Sequence, residues 1–311
     1  MGVGLPKPAA TPDEFWRQFK EHMQYTDEEL ENFRKDPRKV RMAQKIASPD
    51  VLNKTLVFEV VDYYACAEGM RPGDRLFFKG GILLDPTRSS NWCGFSLAYS
   101  AAMYAAIFQN LVFHDIDPGQ FVHTVRDCGD ATPRFGWGQT VYKIYVVDET
   151  KEKISPQRRW VGHPRIMPGE SEEDFFRRFK EHMRFTDDDI KRFREDPVKV
   201  KTIFKMASPE VRDKNLVLEV AYSKGCIAGM RPGDKLYMIG GVVIDMSRSS
   251  PWCAYALSFA TAQLGAIFQN LILHGIHPNE MYVKYLSCGD CGPEFGGWGK
   301  VIYRIYAIEE K

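Results

Sequence analysis

The chain has 311 residues, 44% of them hydrophobic and 27% charged, with a formal net charge of +1. That length predicts about two domains. Acidic and basic residues alternate along the chain, so no basic face is offered to nucleic acid, and no apolar run is long enough to predict a membrane span. The opening MGVGLPKPAATPDE carries no signal-peptide core, so a cytoplasmic protein is expected.

The first amphipathic run begins at Pro12-Asp13-Glu14, with Phe15, Phe19 and Met23 at helical spacing. Thr26 and Glu29 predict a capping box for a second helix, and Asp36-Pro37 opens a third. The counterpart Thr186-Asp187-Asp188-Asp189 predicts a capped helix without the reciprocal box. Residues 56–61 read as a strand, Gly69 to Asp74 as a turn and Arg75 to Phe78 as a second strand. Gly80-Gly81 then predicts a hairpin into Ile82-Leu83-Leu84. From Cys93 to Phe113 the chain is apolar on most faces, as expected of a long helix buried against a sheet. Phe121 to Arg126 and Val141 to Val147 read as two further strands.

This succession occurs twice. Residues 12–136 align with 172–296 at a constant offset of 160, without a gap, and close to half of the aligned positions are identical. The expected class is α+β, in two tandem homologous domains. Each would be a helical lead followed by a mainly antiparallel sheet packed on one long helix. The first repeat is residues 1–148 (lead 12–50, α+β part 55–148), and the second is 172–311 (lead 172–210, α+β part 215–311). Residues 149–171 form a linker in which Trp160, Val161, Ile166 and Met167 predict packing across the surface.

The offset preserves three cysteines, as Cys66/Cys226, Cys93/Cys253 and Cys128/Cys288. Seven cysteines without an export signal do not predict a disulfide framework. Each shared cysteine falls at a turn or an element end flanked by Gly, Pro, Asp or Trp, where functional groups gather. Three readings stay open: metal or iron–sulfur ligation, thiol–disulfide or nucleophilic chemistry, and simple burial, which is common for free cysteine. Cys291 stands where the first repeat has Ala131, so the second repeat has four thiols to offer and the first has three. Four thiolates close a zinc or cluster site, whereas three leave one position open.

Cys66, Gly69, Gly73-Asp74, Trp92-Cys93, Cys128-Gly129-Asp130 and the closing Val141-Tyr142-Lys143-Ile144 together resemble a small uncharacterised bacterial family. Its short members carry three cysteines in this order and are frequent in anaerobes. The resemblance covers roughly residues 55–147 and 215–308 and leaves the helical leads outside it. It implies that the cysteine pattern matters to the domain, and an anaerobic setting makes an oxygen-sensitive cluster more plausible.

Arg88-Ser89-Ser90 and Arg248-Ser249-Ser250 precede the cysteine-bearing helix. The serines are candidate N-caps, and the arginines are candidate anion binders. Asp130 and Asp290 are turn formers or general acid–base groups. His114 and His274 are expected to cap the long helix, His22 and His182 to lie partly exposed on theirs, and the Gly-Trp-Gly around Trp137 and Trp298 to be structural. The expected function is a metal-binding protein holding a [4Fe-4S] cluster or Zn2+ on Cys66, Cys93, Cys128, Cys226, Cys253, Cys288 and Cys291. It would be an enzyme of anaerobic metabolism, of lyase or hydrolase type, acting on a small oxygenated substrate. Arg88, Arg248, Asp130 and Asp290 would assist. The alternatives are a scaffold or electron-transfer subunit docking a larger enzyme, and a thiol-redox protein without metal.

Overall fold

A computed structural model describes residues 4–98, 125–128, 136–151 and 164–309. The chain is α+β with antiparallel sheets. It opens with α1 (Pro12–Met23), α2 (Asp27–Arg34), α3 (Pro37–Ile46) and the single turn α4 (Pro49–Leu52). Thr11, Thr26 and Asp36 cap the first three by accepting from backbone amides of the first turn. Beyond the linker the same succession returns as α5 (Glu172–Met183), α6 (Asp187–Arg194), α7 (Pro197–Ala207) and α8 (Pro209–Arg212). Here one sequence expectation is corrected, because Thr186 and Asp189 do form a reciprocal box. The Thr186 amide donates to Asp189 Oδ2 at 3.0 Å, and the Asp189 amide donates to Thr186 Oγ1 at 3.2 Å. The shorter aspartate arm still reaches the N-cap amide, so glutamate is not required.

Each half then builds a sheet on one long, deeply buried strand. In the first half β1 (Lys54–Tyr64) pairs antiparallel with β2 (Arg75–Lys79) and β6 (Gln139–Asp148), with β3 (Leu83–Leu84) and β5 (Val125–Asp127) outside them. The Gly80-Gly81 hairpin is present, in the register Phe78↔Leu84. In the second half β7 (Lys214–Lys224) lies between β8 (Lys235–Ile239) and β11 (Lys300–Glu309), flanked by β9 (Val243–Ile244) and β10 (Tyr285–Ser287). The long apolar helix is α9, Ala254–His274. Its first-half counterpart is helical over 94–98; the rest of it, residues 121–124 of the expected strand, His114, Trp160 and Val161 lie outside the described residues.

The two halves are joined through their sheets. The two-residue strand β4 (Trp92–Cys93) belongs to the first half in sequence, yet it pairs antiparallel with β9 of the second, Cys93 opposite Val243. Reciprocally, Cys253 bridges to Leu83. The Leu84 amide donates to Trp252 O at 2.9 Å, and the Gly94 amide to Val242 O at 2.8 Å. The largest core cluster accordingly draws on both halves, with Phe58, Phe78 and Trp92 from one and Met238, Trp252 and Tyr303 from the other.

The helical leads are exchanged as well. Phe15, Trp16, Phe19 and Phe33 of the first lead pack with Ile227 and Trp298 of the second half. Phe175, Phe179 and Phe193 of the second lead pack with Ala65, Ala67 and Trp137 of the first. The two indoles are equivalent anchors: Trp298 meets Phe33 edge-on at 5.0 Å, and Trp137 meets Phe193 at 5.4 Å. Polar contacts repeat the symmetry. His22 Nε2 bonds Ile227 O at 2.9 Å and Arg231 donates to His22 O at 2.9 Å, while His182 Nε2 bonds Ala67 O at 3.1 Å and Arg71 donates to His182 O at 3.3 Å. Lys39 donates to Gly297 O and Lys199 to Gly136 O. Each lead therefore covers the opposite half's cysteine turn.

The exchange has a local measure. Phe33→Ala should cost about 3–5 kcal/mol, the usual range for emptying a buried aromatic site. Amide exchange should rise first at residues 226–229 and 297–299, across the exchange, and much less at 66–69 and 136–138 in its own half.

Candidate functional site

The chain enters each cysteine turn through a left-handed residue, Ala65 at φ 60° and Gly225 at φ 69°. At this point the strand end crosses the Trp-Gly segment so closely that a Cβ on Gly138 would lie 1.7 Å from Ala65 O, and one on Gly299 2.2 Å from Gly225 C. Glycine is required at that crossing. Cys66 and Cys226 follow directly, buried, each accepting the amide of the glycine three residues on through its backbone oxygen.

In the second half Cys226, Cys253, Cys288 and Cys291 all line one cavity of about 420 Å³. Five stretches of chain bring its walls together, among them Trp298 to Val301 at the start of β11. Cys226 comes from the turn after β7, Cys253 from the start of α9, Cys288 and Cys291 from the segment after β10, and Met42 and Ile46 from α3 of the opposite half. Cys253 donates a hydrogen bond to Cys226, which lowers the Cys226 pKa and raises that of Cys253; burial pushes Cys253 further up. Burial also raises Cys288, although the Val301 amide donates to its sulfur at 3.3 Å. Backbone amides near Met230 and Ala228 point at the Cys226 sulfur, and that of Ala256 at Cys253.

The first half places its thiols in the same way, as far as it is described. Cys93 lies within electrostatic reach of Cys66 and Cys128, and Cys66 within reach of Cys128. Burial pushes Cys66 up to about 11 and Cys93 well above the usual thiol value. The Thr140 amide donates to Cys128 Sγ at 3.3 Å, matching Val301 and Cys288. Sequence reasoning passed over Glu68, a buried carboxyl two residues from Cys66, where the second half has Ala228. Its Oε2, and Nε and Nη2 of buried Arg212, have no hydrogen-bond partner among the described residues. Burial raises the Glu68 pKa against the pull of Arg212.

The other candidate residues have different settings. Asp290 lines the cavity, but its carboxylate accepts from the amides of Gly292, Trp298 and Gly299 at 3.1–3.2 Å, which makes it the clasp of its loop. Asp130 lies outside the described residues. Arg248 donates to Asp245 at 2.7 Å and stacks on Tyr237, away from the residues that line the cavity. Arg88 binds Asp85 at 2.8 Å and Glu149 at 2.6 Å and covers Phe77. The neighbouring serines do not cap the cysteine helix as expected. Ser89 accepts the Phe77 amide and Ser90 the Arg75 amide, so they satisfy the outer side of β2. Ser249 and Ser250 do the same for Tyr237 and Lys235. His22 and His182 lie partly exposed in the last turns of α1 and α5, as expected, and also make cross-half bonds, and His274 ends α9.

Among the described residues no group of three or more His, Cys, Asp or Glu side chains is already disposed to hold a metal ion. No described helix is long and apolar enough to cross a membrane. No protein-family model, curated protein or solved structure matches the chain.

Burial, reinforced by Arg71, depresses His182 from the usual 6.5 to about 4. The unfolded chain therefore takes up a proton that the folded one refuses, and stability should fall as pH drops from about 6.5 toward about 4. The loss is about 3 kcal/mol at most from this one group. Urea midpoints at pH 7 and pH 4.5 should lie further apart for the parent protein than for His182→Gln.

Proposed function

We propose that the chain is a cysteine-ligated metal protein, its halves being tandem homologous copies that each carry a three-thiol site. The sets are Cys66, Cys93 and Cys128, and Cys226, Cys253 and Cys288, and each would hold zinc or a [4Fe–4S] cluster. The observation that carries this reading is the convergence of Cys226, Cys253 and Cys288, from three separate stretches of chain, on one cavity. Backbone amides are directed at the sulfurs in both halves. A neutral thiol accepts such donors weakly, whereas a ligated thiolate is stabilised and tuned by them. An all-thiolate set suits zinc or iron–sulfur chemistry.

Ligation would require the Cys226–Cys253 hydrogen bond to give way and the protons to leave, which buried thiols resist unless a cation compensates. Cys291 is a fourth sulfur on the wall of the second cavity. A metal with an open position would act as a Lewis acid toward a small substrate, making the protein an enzyme of lyase or hydrolase type. In this chain Asp290 would hold the loop that presents Cys288, and the opposite lead would exclude water from the sulfurs.

One observation favours a second reading. The bonded Cys226–Cys253 pair, one thiol lowered and the other raised, is the arrangement of a dithiol. The Cys226 thiolate would attack an external disulfide and release one of its thiols, and Cys253 would then resolve the mixed disulfide to an internal one.

Elemental analysis and absorption spectra after anaerobic purification separate the readings. The metal reading expects zinc or iron in the protein, with Cys253→Ser losing about half of it because one of two sites is removed. Metal retention should also fall as pH is lowered, since the ligands must be deprotonated. Metal-free protein that forms an internal disulfide with an added disulfide would establish the second reading instead.

A further inference from the structure

We propose that the cavity of the second half binds a small, uncharged, largely apolar molecule against the thiols, and that Met42 and Ile46 of the opposite lead set the size it admits. What becomes of the bound molecule rests on the reading of the thiols as a metal site, but its binding does not.

The cavity of about 420 Å³ falls within the range of small-molecule sites. Its walls are Met42, Ile46, Ile227, Tyr255, Phe259 and Trp298 around the four sulfurs. A wall of thioether, branched aliphatic and aromatic groups rewards burial of apolar surface and offers three aromatic partners for stacking. Phe259 is seated by a close approach to Gly289, where an added Cβ would lie 2.1 Å from the ring, so Gly289 keeps that wall in place.

Charge gives the second half of the argument. Two ionisable residues other than cysteine and tyrosine line the cavity, Asp290 and Lys300. The Asp290 carboxylate is occupied by three backbone amides. Lys300 supplies one ammonium, without the guanidinium fork that selects a carboxylate or phosphate. Arg248, the arginine nearest in sequence to Cys253, is committed to Asp245 and Tyr237. Arg231 reaches Cys226 electrostatically but does not line the cavity and donates to His22 O, so an anion would exchange full hydration for one lining cation in an apolar chamber.

The exchange of leads adds a selectivity device. The positions equivalent to Met42, Ile46, Ile227 and Tyr255 in the other half are Thr202, Met206, Ala67 and Phe95. These replacements would give the first half's thiols a different neighbourhood, and the second half's cavity takes part of its ligand preference from the first half's helices.

Calorimetric titration of the full chain with 2-naphthol and with 2-naphthoate, matched in size and differing in charge, tests the proposal. Saturable binding of 2-naphthol, at least ten-fold tighter than 2-naphthoate, is expected. Met42→Trp, which fills the cavity from the exchanged helix, should weaken 2-naphthol at least ten-fold. Ile227→Trp, filling it from the other wall, repeats the test should the first variant fail to fold. Tighter binding of 2-naphthoate, no binding of 2-naphthol, or a folded Met42→Trp or Ile227→Trp protein that binds as before would overturn the proposal. Metal measured on the same samples keeps the two ideas apart. Naphthol binding to a protein that takes up no metal would remove the metal reading alone, and metal without naphthol binding would remove this one alone.

Discussion

The structure depends on two indoles packing into two clusters of phenylalanine that belong to the other half of the chain. Trp298 sits among Phe19 and Phe33, and Trp137 against Phe193, with the backbone beside each indole held by a lysine of the same foreign lead. A three-helix lead whose apolar face is this aromatic cannot stand alone in water, and a sheet whose cysteine turn is uncovered cannot keep its thiols dry. Each supplies what the other lacks. The sheets repeat the arrangement at smaller scale, because Cys93 and Cys253 reach their positions only by pairing with strands of the opposite half. The cysteine sites are therefore products of the junction between the halves.

The symmetry is broken where chemistry would be most sensitive. Glu68 faces Ala228 across the repeat, Ala131 faces Cys291, and Leu52 faces Arg212. The first half has gained a buried carboxyl beside its thiols, and the second a fourth sulfur on its cavity wall. The close Trp-Gly crossing beside each cysteine turn, by contrast, is the same in both halves. The two halves thus share one plan and differ in what surrounds their cysteines.

Local signals in the sequence were enough for local structure. Thr26 with Glu29, Asp36-Pro37 and the Gly80-Gly81 turn state their conformation within a few residues, because capping and hairpin geometry are satisfied by near neighbours. The convergence of the cysteines was legible in outline, since each lies where an element ends. The exchange was not. An amphipathic pattern such as Phe15, Phe19 and Met23 says that a face is buried, but two partners of similar sequence are available, and the pattern cannot choose between them. For the same reason nothing in the sequence marks Met42 and Ile46 as neighbours of the second half's cysteines, and their place at that cavity came only with the tertiary structure. Ser89 and Ser90 misled because an exposed strand edge competes with a helix end for the same hydroxyls.

Carrying both partners on one polypeptide has a kinetic and thermodynamic consequence. Two separate copies exchanging their leads would assemble by collision and come apart on dilution. Residues 149–171 tether them instead, so each lead meets its receptor at the millimolar effective concentration typical of a short connection. Contacts that need both halves are thus favoured even in dilute protein, because each half meets its own neighbour far more often than a second copy.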